Sequence, residues 1–253
     1  MRRKALQLLV VCCLVALAGC SGALPGGDGA QSVDDVTYPA GVSENGTNLT
    51  ALADAHQNQL QNQSLTLEVA STVNSSMGNQ SVALDAAVGA DREQIRVNGS
   101  AMGQNVSVFV TEEKRYTRLN VGDGEARYQI ADRSPDSNQI IPASYTGRSY
   151  LDRFAGSGNF TPTGVRTVDG TTLVVLEADG SNATQSSQAN VTDYNATMLV
   201  DQQGVVHSVS VEASVTRQGQ RVRTDFTMNV SDVGETTVAE PTWLDEARNS
   251  TNS

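Results

Sequence analysis

The chain has 253 residues and a formal charge of −11, with 17 Lys and Arg against 28 Asp and Glu, 38% hydrophobic residues and only 4% aromatic ones. That length supports one sizeable domain, and without a basic patch to neutralise phosphates nucleic acid is excluded as a partner. Lys is confined to Lys4 and Lys114, and a surface so rich in carboxylates suits concentrated salt, where repulsion is screened over ~3 Å at 1 M.

Arg2, Arg3 and Lys4 open the chain, and the next fourteen residues, 5–18, are apolar apart from Gln7. A basic start, an apolar run too short for the roughly 20 residues of a spanning helix, and small residues before a cut site describe a secretory signal over residues 1–19. Leu17-Ala18-Gly19-Cys20 resembles the lipobox of lipoproteins. The resemblance implies that Cys20 becomes a lipid-bearing N-terminus, which places the protein on the extracellular face of the cell membrane. Arg2-Arg3 leaves both the Sec and the twin-arginine route open. The remaining cysteines, Cys12 and Cys13, fall inside the signal, so the exported domain has no disulfide to rely on.

Residues 20–40 are expected to form an anchored tether, Gly-, Ser- and Asp-rich over 21–37, with a reach of about 20–25 Å. A domain is expected over 41–248. Asn48 is placed to cap a helix in which Leu49, Leu52, Ala53, His56 and Leu60 share one face. The period then changes to two. Leu65, Leu67, Val69 and Val73 have one parity, and Val82, Leu84, Ala86 and Val88 repeat it after a turn at Ser76-Met77-Gly78-Asn79. Ile95, Val97, Val106, Val108 and Val110 continue the pattern with a turn predicted at Asn98-Gly99, and Tyr116 and Tyr128 to Ile130 mark two further strands.

Pro142 is expected to open a second helix, with Tyr150, Leu151 and Phe154 facing inward. Strands resume at about 164–168, 172–178, 193–201, 204–217 and 220–231. Val205, His207, Val209 and Val211 share a parity in one of them, and Val222, Phe226, Met228 and Val230 in the next, with Gln218-Gly219 as their turn. Residues 179–190 read as a polar loop. Pro241, Trp243 and Leu244 suggest a closing helix, and residues 249–253 a frayed tail. The expected fold is mainly β (α+β): a curved antiparallel sheet of about ten strands forming an unclosed half-barrel, with two or three short helices against its concave face.

Tyr38 to Val42, Leu52 to His56 and Pro241 to Leu244 resemble a group of uncharacterised haloarchaeal membrane lipoproteins. The order helix, meander, helix, meander is similar to the LolA/LolB-type carriers and the LppX/LprG-type lipoproteins. That resemblance implies an unclosed barrel plugged by helices, with an apolar cavity for a lipid or other hydrophobic ligand. The residues expected to line it are Leu65, Leu67, Val69, Val82, Leu84, Val106, Val108, Val209, Val211, Phe226 and Met228. A filled core, with the surface contacting another envelope protein, is the alternative. An apolar cavity of ~300 Å³ or more separates the two.

No catalytic constellation can be assembled, and neither a cofactor nor a metal site is expected. His56 and His207 each lie on an apolar face and read as core residues. Asp34-Asp35, Glu112-Glu113 and Asp245-Glu246 are adjacent pairs, which read as solvated charges rather than acid/base dyads. Thirteen of the seventeen Asn begin an Asn-x-Ser/Thr sequon. Asn45, Asn48 and Asn182 are the glycosylation candidates, because they lie in loops. Sequons on strands arise automatically where a polar face alternates Asn with Ser or Thr.

Overall fold

The computed structural model describes residues 36–76, 78–101, 104–121, 126–133, 145–155, 158–179, 190–217 and 219–250. Cys20, the signal and the tether up to residue 35 lie outside these, as do Pro142, Asn182, the turn residues Met77 and Gln218, and most of the polar loop. Val36 and Tyr38 already pack against the core.

A small hairpin, β1 (Val42–Ser43) and β2 (Gly46–Thr47), leads into helix α1 (Leu49–Leu60). The Asn48 side chain accepts from the Ala51 amide at 3.1 Å and so satisfies one orphan donor of the first turn. Leu52, Ala53, His56 and Leu60 are buried on one face, as the helical spacing predicts.

Six strands follow as a meander: β3 (Leu65–Ser75), β4 (Gly78–Val88), β5 (Ile95–Ala101), β6 (Gln104–Val110), β7 (Lys114–Val121) and β8 (Arg127–Asp132). A helical turn, α2 (Arg148–Tyr150), runs into a π-helical segment, Leu151–Ala155. A second meander of five strands comprises β9 (Thr161–Val168), β10 (Thr171–Asp179), β11 (Asn190–Asp201), β12 (Val206–Arg217) and β13 (Gln220–Ser231). Helix α3 (Leu244–Ser250) closes the described chain.

All eleven long strands form one antiparallel sheet in the order β8-β7-β6-β5-β4-β3-β13-β12-β11-β10-β9, unclosed at β8 and β9. The two meanders meet where the last strand pairs with the first, Leu67 opposite Val230 and Val69 opposite Met228. Alternation then defines two faces. Rows of inward residues cross the strands, as in Val230, Leu67, Ala86, Val97, Val108, Thr117 and Gln129. Helix α1 and Leu151 pack on this inner face with β3 and β10 to β13 in the main core. Each side chain buried there contributes roughly 1.5–3 kcal/mol.

The third helix takes the other face. Phe109, Tyr116 and Ile130 point away from the main core, and Trp243, Leu244 and Ala247 pack on them as a second, separate cluster. Tyr128 stacks near Trp243 at 6.2 Å and donates its hydroxyl to Glu246 at 2.5 Å. The segment after β13 is therefore a strap across the outside of the first meander. Among the described residues, no helix is long and apolar enough to cross a membrane.

Two local expectations are corrected. Asn98-Gly99 is not a turn. Both residues lie inside β5, where Gly99 pairs with Leu84 and Val106. A Cβ there would sit 3.1 Å from the Ala83 carbonyl oxygen, so the glycine answers a close backbone approach rather than a reversal. In β12 the parity breaks at His207, because Leu199 pairs with Ser208 and Val200 with Val206. This bulge turns Val206 into the core and leaves His207 only half-buried.

Gly147 precedes α2 at φ 90°, and a Cβ on it would meet Met228 Sδ at 2.7 Å. Only glycine combines that backbone with that approach to the sheet. Gly147→Val is expected to cost about 2–4 kcal/mol, through left-handed strain and overpacking, in urea unfolding at a fixed salt concentration. A cost below about 0.5 kcal/mol would show that the helix does not need this approach.

Candidate functional site

The inner face is covered unequally. Over β10 to β13 it is filled by large side chains, Leu176, Tyr194, Met198, Phe226 and Met228, beneath α1 and Leu151. Over β4 to β8 the inward residues are smaller, and a cavity of about 450 Å³ remains. Leu67, Leu84, Ala86, Val97, Val108 and Leu119 form its apolar surface. Arg115, Thr117 and Gln129 from β7 and β8 form a polar wall, and Tyr145 and Tyr150 close over it. Tyr150 is held by stacking on Phe226 at 6.1 Å. Burial pushes both tyrosine hydroxyls up in pKa.

Two anchors hold the elements around the cavity. His56 is completely buried in α1. Its Nδ1 accepts from the Val206 amide at 3.0 Å, so Nε2 carries the proton and donates to the Thr146 carbonyl at 2.6 Å. One neutral imidazole thus joins α1, the approach to α2, and the start of β12. Burial lowers its pKa from 6.5 to about 4, against the opposing effect of the Thr146 carbonyl.

The second anchor is Arg92, at φ 63° in the β4–β5 turn. Its guanidinium donates to the Leu60 carbonyl and, at 2.8 Å, to that of Gln63, capping the end of α1. Arg133 in turn donates to the Arg92 carbonyl at 2.9 Å and to Thr111 at 3.1 Å. Arg148 pairs with Asp54 at 2.5 Å and ties α2 to α1.

The outer face carries a shallow groove of about 550 Å³ over β13 and β3 to β6. One row across it reads Asn229, Glu68, Asp85, Asn98 and Ser107. Among the described residues, no three His, Cys, Asp or Glu are placed to hold a metal ion. Asp201 and His207 meet at 2.9 Å beside the β12 bulge. Burial raises the Asp201 pKa, but the hydrogen bonds from His207 and the Val205 and Gln203 amides outweigh it and hold the carboxyl below the usual range. These bonds fix the β11–β12 turn.

The expected lining residues separate into groups. Leu67, Leu84 and Val108 line the cavity. Leu65, Val69, Val209, Val211, Phe226 and Met228 are buried in the filled core. Val106 is half-buried, and Val82, beyond the helices, is 43% exposed. The alternation that selected them identifies a face and not which part of that face is covered. Arg115, Gln129 and Tyr145 were missed, and Tyr150, expected to face inward and found there, was not placed in the lining. Tyr116, Tyr128 and Ile130 take the apolar positions of those strands, so no local alternation marks Arg115 and Gln129 as inward. Asn45 is exposed in the β1–β2 turn, and Asn48 is exposed with its side chain engaged as the α1 cap.

A mainly β fold with a half-filled, half-hollow inner face is what these observations define. The chain belongs to DUF7537, a family of unknown function whose profile matches residues 5–247. No curated protein matches it. Among solved structures it is similar to a DUF1329 family protein from Desulfovibrio piger, at 11% identity over 79% of this chain and 98% of that one, with a TM-score of 0.26. It is similar to a LolA superfamily protein from Nitrosomonas europaea, at 9% identity over 76% and 96%, with a TM-score of 0.27. It is also similar to a chain of the MucA/MucB complex of Pseudomonas aeruginosa, at 15% identity over 78% and 59%, with a TM-score of 0.32. Likenesses at these scores carry nothing about ligand or partner.

The His56 anchor gives a pH dependence. Above pH 6.5 the ring is neutral in folded and unfolded chains alike, and its bonds contribute fully. As pH falls from 6.5 towards 4, the unfolded chain takes up a proton that the folded chain refuses, removing about 3 kcal/mol by pH 4. Urea unfolding of wild type and His56→Gln at about pH 7 and about pH 4 should show the smaller acid loss in the variant. Equal losses would exclude a buried neutral His56.

Proposed function

We propose that the protein is a non-catalytic binding module, held at the outer face of the cell membrane by lipid on Cys20, that takes a hydrophobic chain into the cavity over β4 to β8. The observation that carries this reading is the cavity. At about 450 Å³ it exceeds the size that separates a hollow from a filled fold, and its surface is mainly aliphatic. Binding there draws on apolar burial at ~25 cal/mol per Å². The filled half of the core keeps the interaction-protein reading as the alternative, since only part of the inner face is open.

Native mass spectrometry of gently extracted protein tests the cavity. The expected result is a bound hydrophobic species that is lost in Val97→Trp, where the indole fills the space, while the circular dichroism of the variant is unchanged. Bare protein in both samples would favour the interaction reading.

Anchoring is tested separately, because it rests on the residues before and at Cys20 alone. Cys20→Ser should leave the precursor unprocessed or release the protein to the medium. Unchanged membrane retention and detergent partition would refute lipidation at that residue.

A further inference from the structure

Charge is not spread evenly along the strands. In an antiparallel meander successive turns fall at opposite ends of the sheet, so the turns form two rims. At the rim to which Arg92 ties the end of α1, every turn carries a carboxylate. Asp91 lies between β4 and β5, Glu112 between β6 and β7, Asp169 between β9 and β10, Asp201 at the β11–β12 turn and Asp232 at the exit from β13. The opposite rim contains the turns β5–β6, β3–β4 and β12–β13. Residues 97–111 and 69–84 hold no charged residue, and the only charges within 213–224 are Arg217, Arg221 and Arg223. These six strands are neighbours in the order β6-β5-β4-β3-β13-β12. A rim without carboxylates therefore runs across them for roughly 25 Å at the usual strand spacing. It is bounded by Asp193 on β11 and by the β7–β8 turn, 122–125, whose Asp123 and Glu125 lie outside the described residues.

The apolar inner face also becomes exposed towards this rim. Along β4, Val88 and Ala86 are 0% and 1% exposed, Leu84 lines the cavity, and Val82, the next inward residue, is 43% exposed. Val73 and Val222 are half-buried at the same end, beside a small hollow of about 180 Å³. Arg223 is shared between Glu212 and Asp225 at 3.1 and 3.0 Å. Arg221 donates to Ser214 Oγ at 3.1 Å and pairs with no carboxylate among the described residues.

We infer that this rim is a docking surface for the headgroup layer of a bilayer that contains anionic lipid. Any other approach presses carboxylates against lipid phosphates, at a cost in repulsion and desolvation. Here the charge is complementary: the β12–β13 hairpin brings arginine to the phosphates, and Val82, Val73 and Val222 meet the boundary between headgroups and chains. Residues 69–84 and 213–224 hold no Phe, Tyr or Trp of the kind that anchors protein interfaces. The fifteen residues between Cys20 and Val36 span up to about 50 Å, against roughly 40 Å for a twelve-residue strand, so an anchor at Cys20 permits this orientation. The inference goes beyond the ligand reading and does not need the cavity to be filled.

Quenching by brominated lipid in the reconstituted full chain tests it. Val82→Trp puts a reporter on the rim and Glu112→Trp puts one at the opposite end, with wild type giving the background from Trp243. In low-salt vesicles of brominated phosphatidylcholine and phosphatidylglycerol, the Val82→Trp reporter should lose about half of its emission, and Glu112→Trp should match wild type. Adding Asn79→Glu and Gln220→Glu, both exposed on the rim, should restore most of the Val82→Trp emission. Equal quenching of the two reporters, or stronger quenching of Glu112→Trp, would overturn the rim as the docking surface. Quenching of neither would overturn a lipid partner and leave the rim to a protein. If Val82→Trp does not fold, as judged by circular dichroism, Gln80→Trp at an exposed position of the same strand gives the same readout. None of these outcomes bears on the cavity, which Val97→Trp tests separately.

Discussion

The pairing of β13 with β3 is the constraint on which the rest of the structure depends. Each meander alone would be a sheet of five or six strands with one wet face and one apolar face. Their antiparallel register, Arg223 opposite Asn74 through Ser231 opposite Thr66, joins them into one eleven-stranded surface. The inward rows cross this seam without changing face, so Met228 and Val69, or Val230 and Leu67, belong to one core. The chain between the meanders must then return across the inner face, and that return carries Gly147 and α2 onto Met228. The coverage of the inner face thus follows from connectivity.

Side-chain size decides where that coverage leaves space. Strands β10 to β13 turn Leu176, Tyr194, Met198, Phe226 and Met228 inward, and α1 seats on them through Leu52, Ala53, His56 and Leu60. Strands β4 to β7 turn in Ala86, Val97, Gly99, Val106, Val108 and Thr117, all smaller, between the larger Leu84, Arg115 and Leu119. A helix seated on the large residues stands too high to fill the space above the small ones. His56 fixes that height, because its two hydrogen bonds need the Thr146 carbonyl and the Val206 amide together. Arg92 and Arg133 fix the far end of α1 against the β4–β5 turn.

The strand alternation made the fold class and the inner face legible in the sequence. Leu65, Leu67, Val69 and Val88 fall where the period of two puts them. The Asn48 cap and the α1 face were equally legible, since both depend on neighbours in the chain. The elements that were not legible depend on distant partners. His207 looked inward until the bulge at Val206 moved it aside, and Asn98-Gly99 looked like a turn because the residues that Gly99 must clear lie on β4. The outer cluster of Phe109, Tyr116 and Trp243 was hidden for the same reason: Phe109 sits out of step with its own strand and makes sense only once α3 lies over it. The polar wall of the cavity shows the limit for the site. Arg115 and Gln129 read as ordinary polar residues in strands, and only the register of β6, β7 and β8 brings them to the end of an apolar hollow.

An unclosed sheet has two free edges, and each invites another strand. Here both are guarded. The edge strand β8 is six residues long and exposes Arg127, Gln129 and Asp132. The edge strand β9 carries Pro162, which has no amide proton to donate, exposes Thr161, Thr163 and Arg166, and is broken in register at Val175/Leu176 on its neighbour. The hairpin of β1 and β2 packs beside it. With both edges blunted, strand addition is disfavoured and the barrel has no means of closing through its own ladder. The opening beside β8 is therefore kept open by the same charged and polar residues that protect the edge, and Gln129 serves both purposes, exposed on the last strand and facing the cavity.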